Sequence, residues 1–134
     1  MIEYGCIRTP ANITAEARLP SIYREITKHI KTHKPDVIAI EDLFFTSNQK
    51  TIIGVGQARG VLLLAAGQSG ARVSTHSPPE IKLAVTGYGR AEKMQVQKMV
   101  ANILKLDEIP KPDDAADALA VAICASQRGI AQFE

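Results

Sequence analysis

The pattern of apolar residues predicts an α/β domain with a largely parallel sheet, and three observations carry that reading. Val37-Ile38-Ala39-Ile40 is a short, wholly apolar run of the kind that forms a strand buried on both faces. Long segments on either side of it repeat apolar residues every three or four positions, which gives a helix one face suited to a core. The resulting order, β-α-β-α-β-α-α-α, puts a helix between successive strands, and crossovers of that kind join parallel neighbours.

Taken in order, Ile2 to Arg8 mixes apolar and polar residues up to Pro10 and predicts a first short strand. From Thr14, Leu19, Ile22, Tyr23, Ile26 and Ile30 line one helical face while Arg24, Lys28 and Lys31 lie on others; Pro35-Asp36 ends the helix. The apolar strand follows. Asn48 to Gly67 reads as a second helix, and Arg72 to Thr75 as a third strand. Within that second helix, Gly54-Val55-Gly56 superficially suggests a dinucleotide fingerprint, but the spacing is wrong by one residue and no acid follows at the required distance. Gly56 and Gly60, four apart, instead suit the close approach of another helix, of this chain or of a second subunit, which must offset about 1 kcal/mol of lost helix propensity per glycine. Pro78-Pro79 opens a helical turn through Val85, Gly87-Tyr88-Gly89 breaks it, and Ala91 to Leu106 resumes as a helix. A last helix starts at Pro112, with aspartates at the positive end of its dipole and an alanine-rich continuation.

At 134 residues and 46% hydrophobic content, the chain predicts one domain spanning 1–134. A formal net charge of +2 excludes a polybasic binder held by charge alone but leaves room for local basic patches. Cys6 and Cys124 stand apart without metal-ligand spacing, which argues against zinc or a disulfide framework and for a reducing, cytoplasmic setting. No signal-peptide pattern opens the chain and no apolar run reaches membrane-spanning length, so no membrane partner is expected. His29, His33 and His76 lack ligand spacing and read as surface residues.

Two places carry acid where apolar residues dominate. Asp114 and Asp117 lie about 60° apart on one face of the last helix, with Leu119 and Ile123 on a different face suited to a core. Glu41 directly follows the apolar strand, at the carboxyl end where open α/β sheets carry their ligands. Taken singly, the aspartates are explained as a solvated helix start and Glu41 as a polar strand end. Together they suggest carboxylates relieved by a divalent cation. Lys82, Arg90 and Lys93 surround the glycine turn and suit phosphate contact. Phe44-Phe45 stand in a loop beside Glu41, where an aromatic can stack on a base or fold back onto the core. Phosphodiester hydrolysis uses such a set: two divalent ions about 3.5–4 Å apart, bridged by carboxylates, activate water and stabilise the leaving oxygen. Magnesium suits hard oxygen ligands, and a nearby lysine offsets charge on the phosphate.

Four pieces in order, Ile38-Ala39-Ile40-Glu41 with its Phe pair, Gln57-Ala58-Arg59-Gly60, GYGRAEKMQVQ at 87–97 and DDAADALAVA at 113–122, resemble the RuvC family of Holliday-junction resolvases. The resemblance runs from about Tyr4 to Ala125. It implies a ribonuclease-H-like mixed sheet flanked by helices, a homodimer that nicks four-way DNA junctions symmetrically with two magnesium ions per site, and a branch-migration helicase complex as partner. By motif, Glu41, Asp114 and Asp117 are similar to the family's metal-binding catalytic acids, with Asp113 out of register. Lys82 and Lys93 resemble its basic residues at the scissile phosphate, Phe44 its base-stacking aromatic, and the helix at 48–67 the segment packed across the dimer. The family pattern also places two strands, the first with a catalytic Asp in a Gly-Ile-Asp-Pro-Gly-like motif, ahead of the Tyr-Gly-Cys-Ile-Arg-Thr segment that begins here at Tyr4. The expectation is an N-terminally incomplete resolvase domain that lacks one carboxylate and does not cleave alone. Two further readings stay open: a non-catalytic junction-binding or dimerisation remnant, and a ribonuclease-H-like nuclease acting on another nucleic acid.

Overall fold

The structure, a computed structural model, describes residues 1–42 and 49–131. Its elements are α1 (Ala15–His33), β1 (Val37–Glu41), α2 (Gln49–Ser69), β2 (Arg72–His76), α3 (Pro78–Thr86), α4 (Lys93–Ile103) and α5 (Asp113–Ala131). β1 and β2 pair in one two-stranded sheet. The Arg72 N–H donates to the Asp36 carbonyl at 3.0 Å and the Asp42 N–H to the His76 carbonyl at 2.8 Å, so the strands run parallel, as their helical connection requires.

Two strand expectations are corrected. Residues 2–8 form no strand, and Ile2 and Tyr4 are exposed. A short segment takes strand geometry from a ladder with a neighbour, and the described sheet consists of β1 and β2 alone. β1 is not buried on both faces: only Ile40 is buried, and Val37 is exposed. An apolar run predicts the strand, but the layers that cover it are a tertiary matter.

By packing, the chain divides into two compact units, one of Ile7–Ile38 and Leu43–Ser74, the other of Met1–Cys6, Ala39–Asp42 and Thr75–Glu134. In the first, α1 packs against α2. Leu19, Ile22, Tyr23, Ile26 and Ile30 are half-buried along one face, whereas Arg24, Lys28 and Lys31 are exposed, as their spacing predicts. The helix ends on Lys34 in the left-handed conformation, whose N–H donates to the Ile30 carbonyl at 2.8 Å. The Arg18 Nη2 donates to the Gly54 carbonyl at 3.0 Å, and the Tyr23 hydroxyl to Gln68 Oε1. At Gly60, a Cβ would meet nothing within 4 Å among the described residues, so none of the described helices makes a close approach at that position. α2 instead exposes Ile53, Val55 and Leu64 while burying Ala65 and Ala66.

In the second unit, α3, α4 and α5 pack on one another around Ile81, Val85, Val96, Val100, Leu119, Ile123 and Cys124. Val100 is fully buried, and removing a side chain of that size from water contributes about 1.5–3 kcal/mol. The alanines of α5 act as the sequence suggests: Ala115, Ala116 and Ala120 are all but inaccessible, which lets neighbouring elements approach its backbone closely. α4 starts at Lys93 rather than Ala91, because Glu92 is its N-cap and the Glu92 N–H donates to Gln95 Oε1 at 2.9 Å. His76 corrects a further expectation: it is buried, 2% exposed, with Nδ1 3.6 Å from Cys124 Sγ. Burial pushes its pKa down and that of the Cys124 thiol up, so both are neutral at pH 7. None of the described helices is long and apolar enough to cross a membrane.

Candidate active site

Four elements, β1, α3, α4 and α5, deliver charged side chains of the second unit to one pocket of about 240 Å3, lined by Glu41, Pro78, Ile81, Lys82, Lys93, Val96, Asp117 and Ala120. Glu41 is the last residue of β1, and the hydrogen bond from the Asp42 N–H to the His76 carbonyl fixes the chain immediately after it. Lys82 projects from α3. That helix is started by a capping box in which Glu80 Oε2 accepts from the Ser77 N–H at 2.8 Å and lies 3.0 Å from its hydroxyl. The other Glu80 oxygen accepts from Arg128 Nη2 at 2.6 Å, tying α3 to α5. These bonds, the one from the Ser77 backbone foremost, pull the Glu80 pKa down to about 2. Lys93 is the first residue of α4, and Asp117 lies one turn into α5.

The charges are arranged around Lys93. Its Nζ lies 3.2 Å from Asp113 Oδ2 and 3.8 Å from Asp117 Oδ2. Asp113 and Asp117 are four apart and share a helix face, so one ammonium reaches both. The hydrogen bond to Asp113, then the charge of Asp117, push the Lys93 pKa up and keep it protonated. Partial loss of water raises the Glu41 pKa, and the negative charge of Asp117 raises it further. Burial raises Asp117 as well; Lys93 opposes that shift, and Asp114 and Asp113 add to it. Glu41 and Asp117 are therefore a like-charged pair on one pocket wall.

The remaining predicted residues lie around this core. Asp114 is exposed in the first turn of α5 and does not line the pocket, although its charge reaches Asp117. Among the described residues, Glu41, Asp114 and Asp117 do not bring one carboxylate oxygen each within 4.8 Å of the other two. Arg90 is exposed in the turn between α3 and α4. Phe44 lies outside the described residues. Sequence reasoning missed the partnership of Asp113 with Lys93, which the four-residue spacing to Asp117 could have suggested. It also missed Pro78, Ile81, Val96 and Ala120 as the apolar walls; such residues carry no chemical signal of their own.

The donors fit a divalent cation. Magnesium takes oxygen ligands and is commonly held by one or two carboxylates plus water and substrate phosphate, and the paired acids on this wall offer such an edge. The two lysines that line the same pocket match a phosphodiester.

A family model described as crossover junction endodeoxyribonuclease RuvC matches residues 1–125. The chain belongs to the RuvC family. The RuvC protein of Heliobacterium modesticaldum is 54% identical over 123 residues, covering 92% of this chain and 76% of the relative. That of Desulfitobacterium hafniense is also 54% identical over 123 residues, covering 92% and 74%. Both are named crossover junction endodeoxyribonucleases, hydrolases of DNA phosphodiester bonds. The RuvC structure from Thermus thermophilus superposes with a TM-score of 0.82 at 32% identity, over 92% of this chain and 76% of that one. RuvC from the same organism in complex with a Holliday junction substrate gives a TM-score of 0.80 at 31% identity, over 90% and 73%. The ribonuclease-H-like α/β fold implied by the sequence is thus the fold of RuvC.

Proposed function

We propose that this RuvC chain works as a magnesium-dependent endonuclease that nicks four-way DNA junctions. The observation that carries the reading is the meeting of Glu41 and Asp117 with Lys82 and Lys93 in one pocket. Glu41, Asp117 and the neighbouring Asp114 would hold the metal, two ions per site in the full reading. Bound there, magnesium supplies an activated water and neutralises charge on the leaving oxygen. Lys93, kept protonated by Asp113 and Asp117, and Lys82 in the same pocket hold the non-bridging phosphate oxygens and offset the charge that builds on them. Arg90 extends the basic surface along the DNA, and Phe44 serves as a stacking contact in the same reading. The apolar core beneath fixes the spacing of these groups, because α3, α4 and α5 meet through small and branched side chains with little room to shift.

A homodimer belongs to the same proposal. The exposed Ile53, Val55 and Leu64 of α2, with open space at Gly60, offer a second copy an apolar surface. The branch-migration helicase complex is the further partner that family membership suggests.

The test compares cleavage of a four-way junction, linear duplex and RNA with and without magnesium. In a chain that also carries the family's Asp-bearing first strand, Glu41→Gln and Asp117→Asn should abolish nicking and keep junction binding, since binding rests on phosphate contacts and cutting on the carboxylates. Nicking by either variant at the parent rate would refute the site. Equal action on RNA or linear duplex would refute the substrate.

A further inference from the structure

We infer that Tyr88 is a second DNA contact, a ring that stacks on an unpaired or splayed base at the junction beside the pocket; this rests on the junction-nuclease reading above. Tyr88 is 58% exposed in a chain with only 4% aromatic residues. An exposed ring on a mobile tail would mean little, but this one has a pinned backbone. The Tyr88 N–H donates to Thr86 Oγ1 at 3.1 Å, and the Tyr88 carbonyl lies 3.1 Å from that same hydroxyl and accepts from the Ala91 N–H at 3.1 Å. The Thr86 hydroxyl also reaches the Lys82 carbonyl at 2.8 Å. Ala91, at the other end, is buried at 2% exposure in the core. The turn thus anchors the ring between the helix that carries Lys82 and the helix that begins at Lys93.

The surroundings say what the ring meets. Gly87 and Gly89 flank it without side chains, and Gly87 takes φ +77°, which closes α3 sharply and turns the chain outward. Lys82, Arg90, Glu92 and Lys93 are the charged residues nearest Tyr88 in sequence, three of the four cationic. An anchored, exposed aromatic among cations suits nucleic acid: the cations take the phosphates and the ring takes a base face, which every base offers. A protein partner would need an apolar or acidic complement, and the flanking glycines give it little area to bury.

The chain contains no tryptophan, so Tyr88→Trp introduces a unique fluorophore. Titration with a four-way junction in the absence of divalent metal should quench its emission saturably, with the midpoint matching that from a mobility-shift assay. Tyr88→Ala should bind the junction about 5- to 150-fold more weakly, the range seen when one stacking ring is removed, while Tyr88→Phe binds like the parent. Unchanged emission on saturation with junction, or parental affinity in Tyr88→Ala, would overturn the inference. Should Tyr88→Ala unfold at a lower temperature, the tryptophan emission decides alone. Failure of the parent chain to bind junctions would instead remove the functional reading, a different result from a parent that binds while the indole stays silent.

Discussion

Replacing Lys93 by Ala separates stability from DNA contact. In the free protein the ammonium pairs with Asp113 at 3.2 Å and Asp117 at 3.8 Å, with side-chain exposures of 57%, 65% and 42% respectively. Pairs so open to water contribute at most about 1 kcal/mol, so Lys93→Ala should unfold within a few degrees of the parent. Its effect on DNA binding has a different signature. One phosphate contact adds about 0.9 to the slope of log affinity against log salt, so a fourfold rise in salt weakens the parent about 3.5-fold more than the variant. The variant also leaves Asp113 and Asp117 without their shared cation, and their repulsion of DNA lowers affinity at every salt concentration. Cleavage should fall further, by about 100- to 1,000-fold, the loss typical of removing one group that stabilises transition-state charge. Anisotropy titrations of a labelled junction across a salt series, without divalent metal, measure the slope. Equal slopes for parent and variant would refute the phosphate contact, whatever happened to cleavage.

Other perturbations test other parts of the molecule. Glu41→Gln removes a carboxylate that loses water in the pocket and faces Asp117, so its raised pKa means that the charged form destabilises the fold above that pKa; the variant should melt higher at pH 7 while losing cleavage, and a lower melting temperature would contradict the assigned repulsion. Glu80 has the opposite sign: its pKa falls from 4.5 to about 2 on folding, so its stabilisation is fully present above pH 4.5 and is lost as pH falls toward 2. Thermal melts of Glu80→Gln should therefore show a flatter pH dependence in that window, and an unchanged profile would count against the capping box. Ala120→Leu forces three extra carbons into a site 1% exposed and should cost about 1–3 kcal/mol in chemical denaturation. Gly87→Ala must hold φ at +77°, and a loss of about 1–2 kcal/mol in the same assay is expected.

The sequence by itself determined the elements whose cause is local. The 3.6-residue period set the exposed and half-buried faces of α1, the alanine content and N-terminal acids set α5, and the apolar run set β1, each within a few residues of its observed bounds. It also marked Glu41, Asp117, Lys82 and Lys93 as chemistry-bearing, because acids after a strand, acids in an apolar helix and cations around a glycine turn stand out from their surroundings. Their meeting in one pocket was implied by the family resemblance but not by any local pattern, since residues 41, 82, 93 and 117 stand on β1, α3, α4 and α5 and are brought together only by packing. Where local pattern and neighbours disagreed, neighbours won. Residues 2–8 have strand composition but no strand, as a ladder needs a second chain segment. His76 looks like a surface residue in sequence and is buried against Cys124, because the end of β2 runs into the α3–α5 core. Asp113 is out of register with the family's acids, yet the fold sets it against Lys93, 20 residues away; the four-residue spacing marks the face that Asp113 shares with Asp117, and only the packing of α4 on α5 supplies the cation.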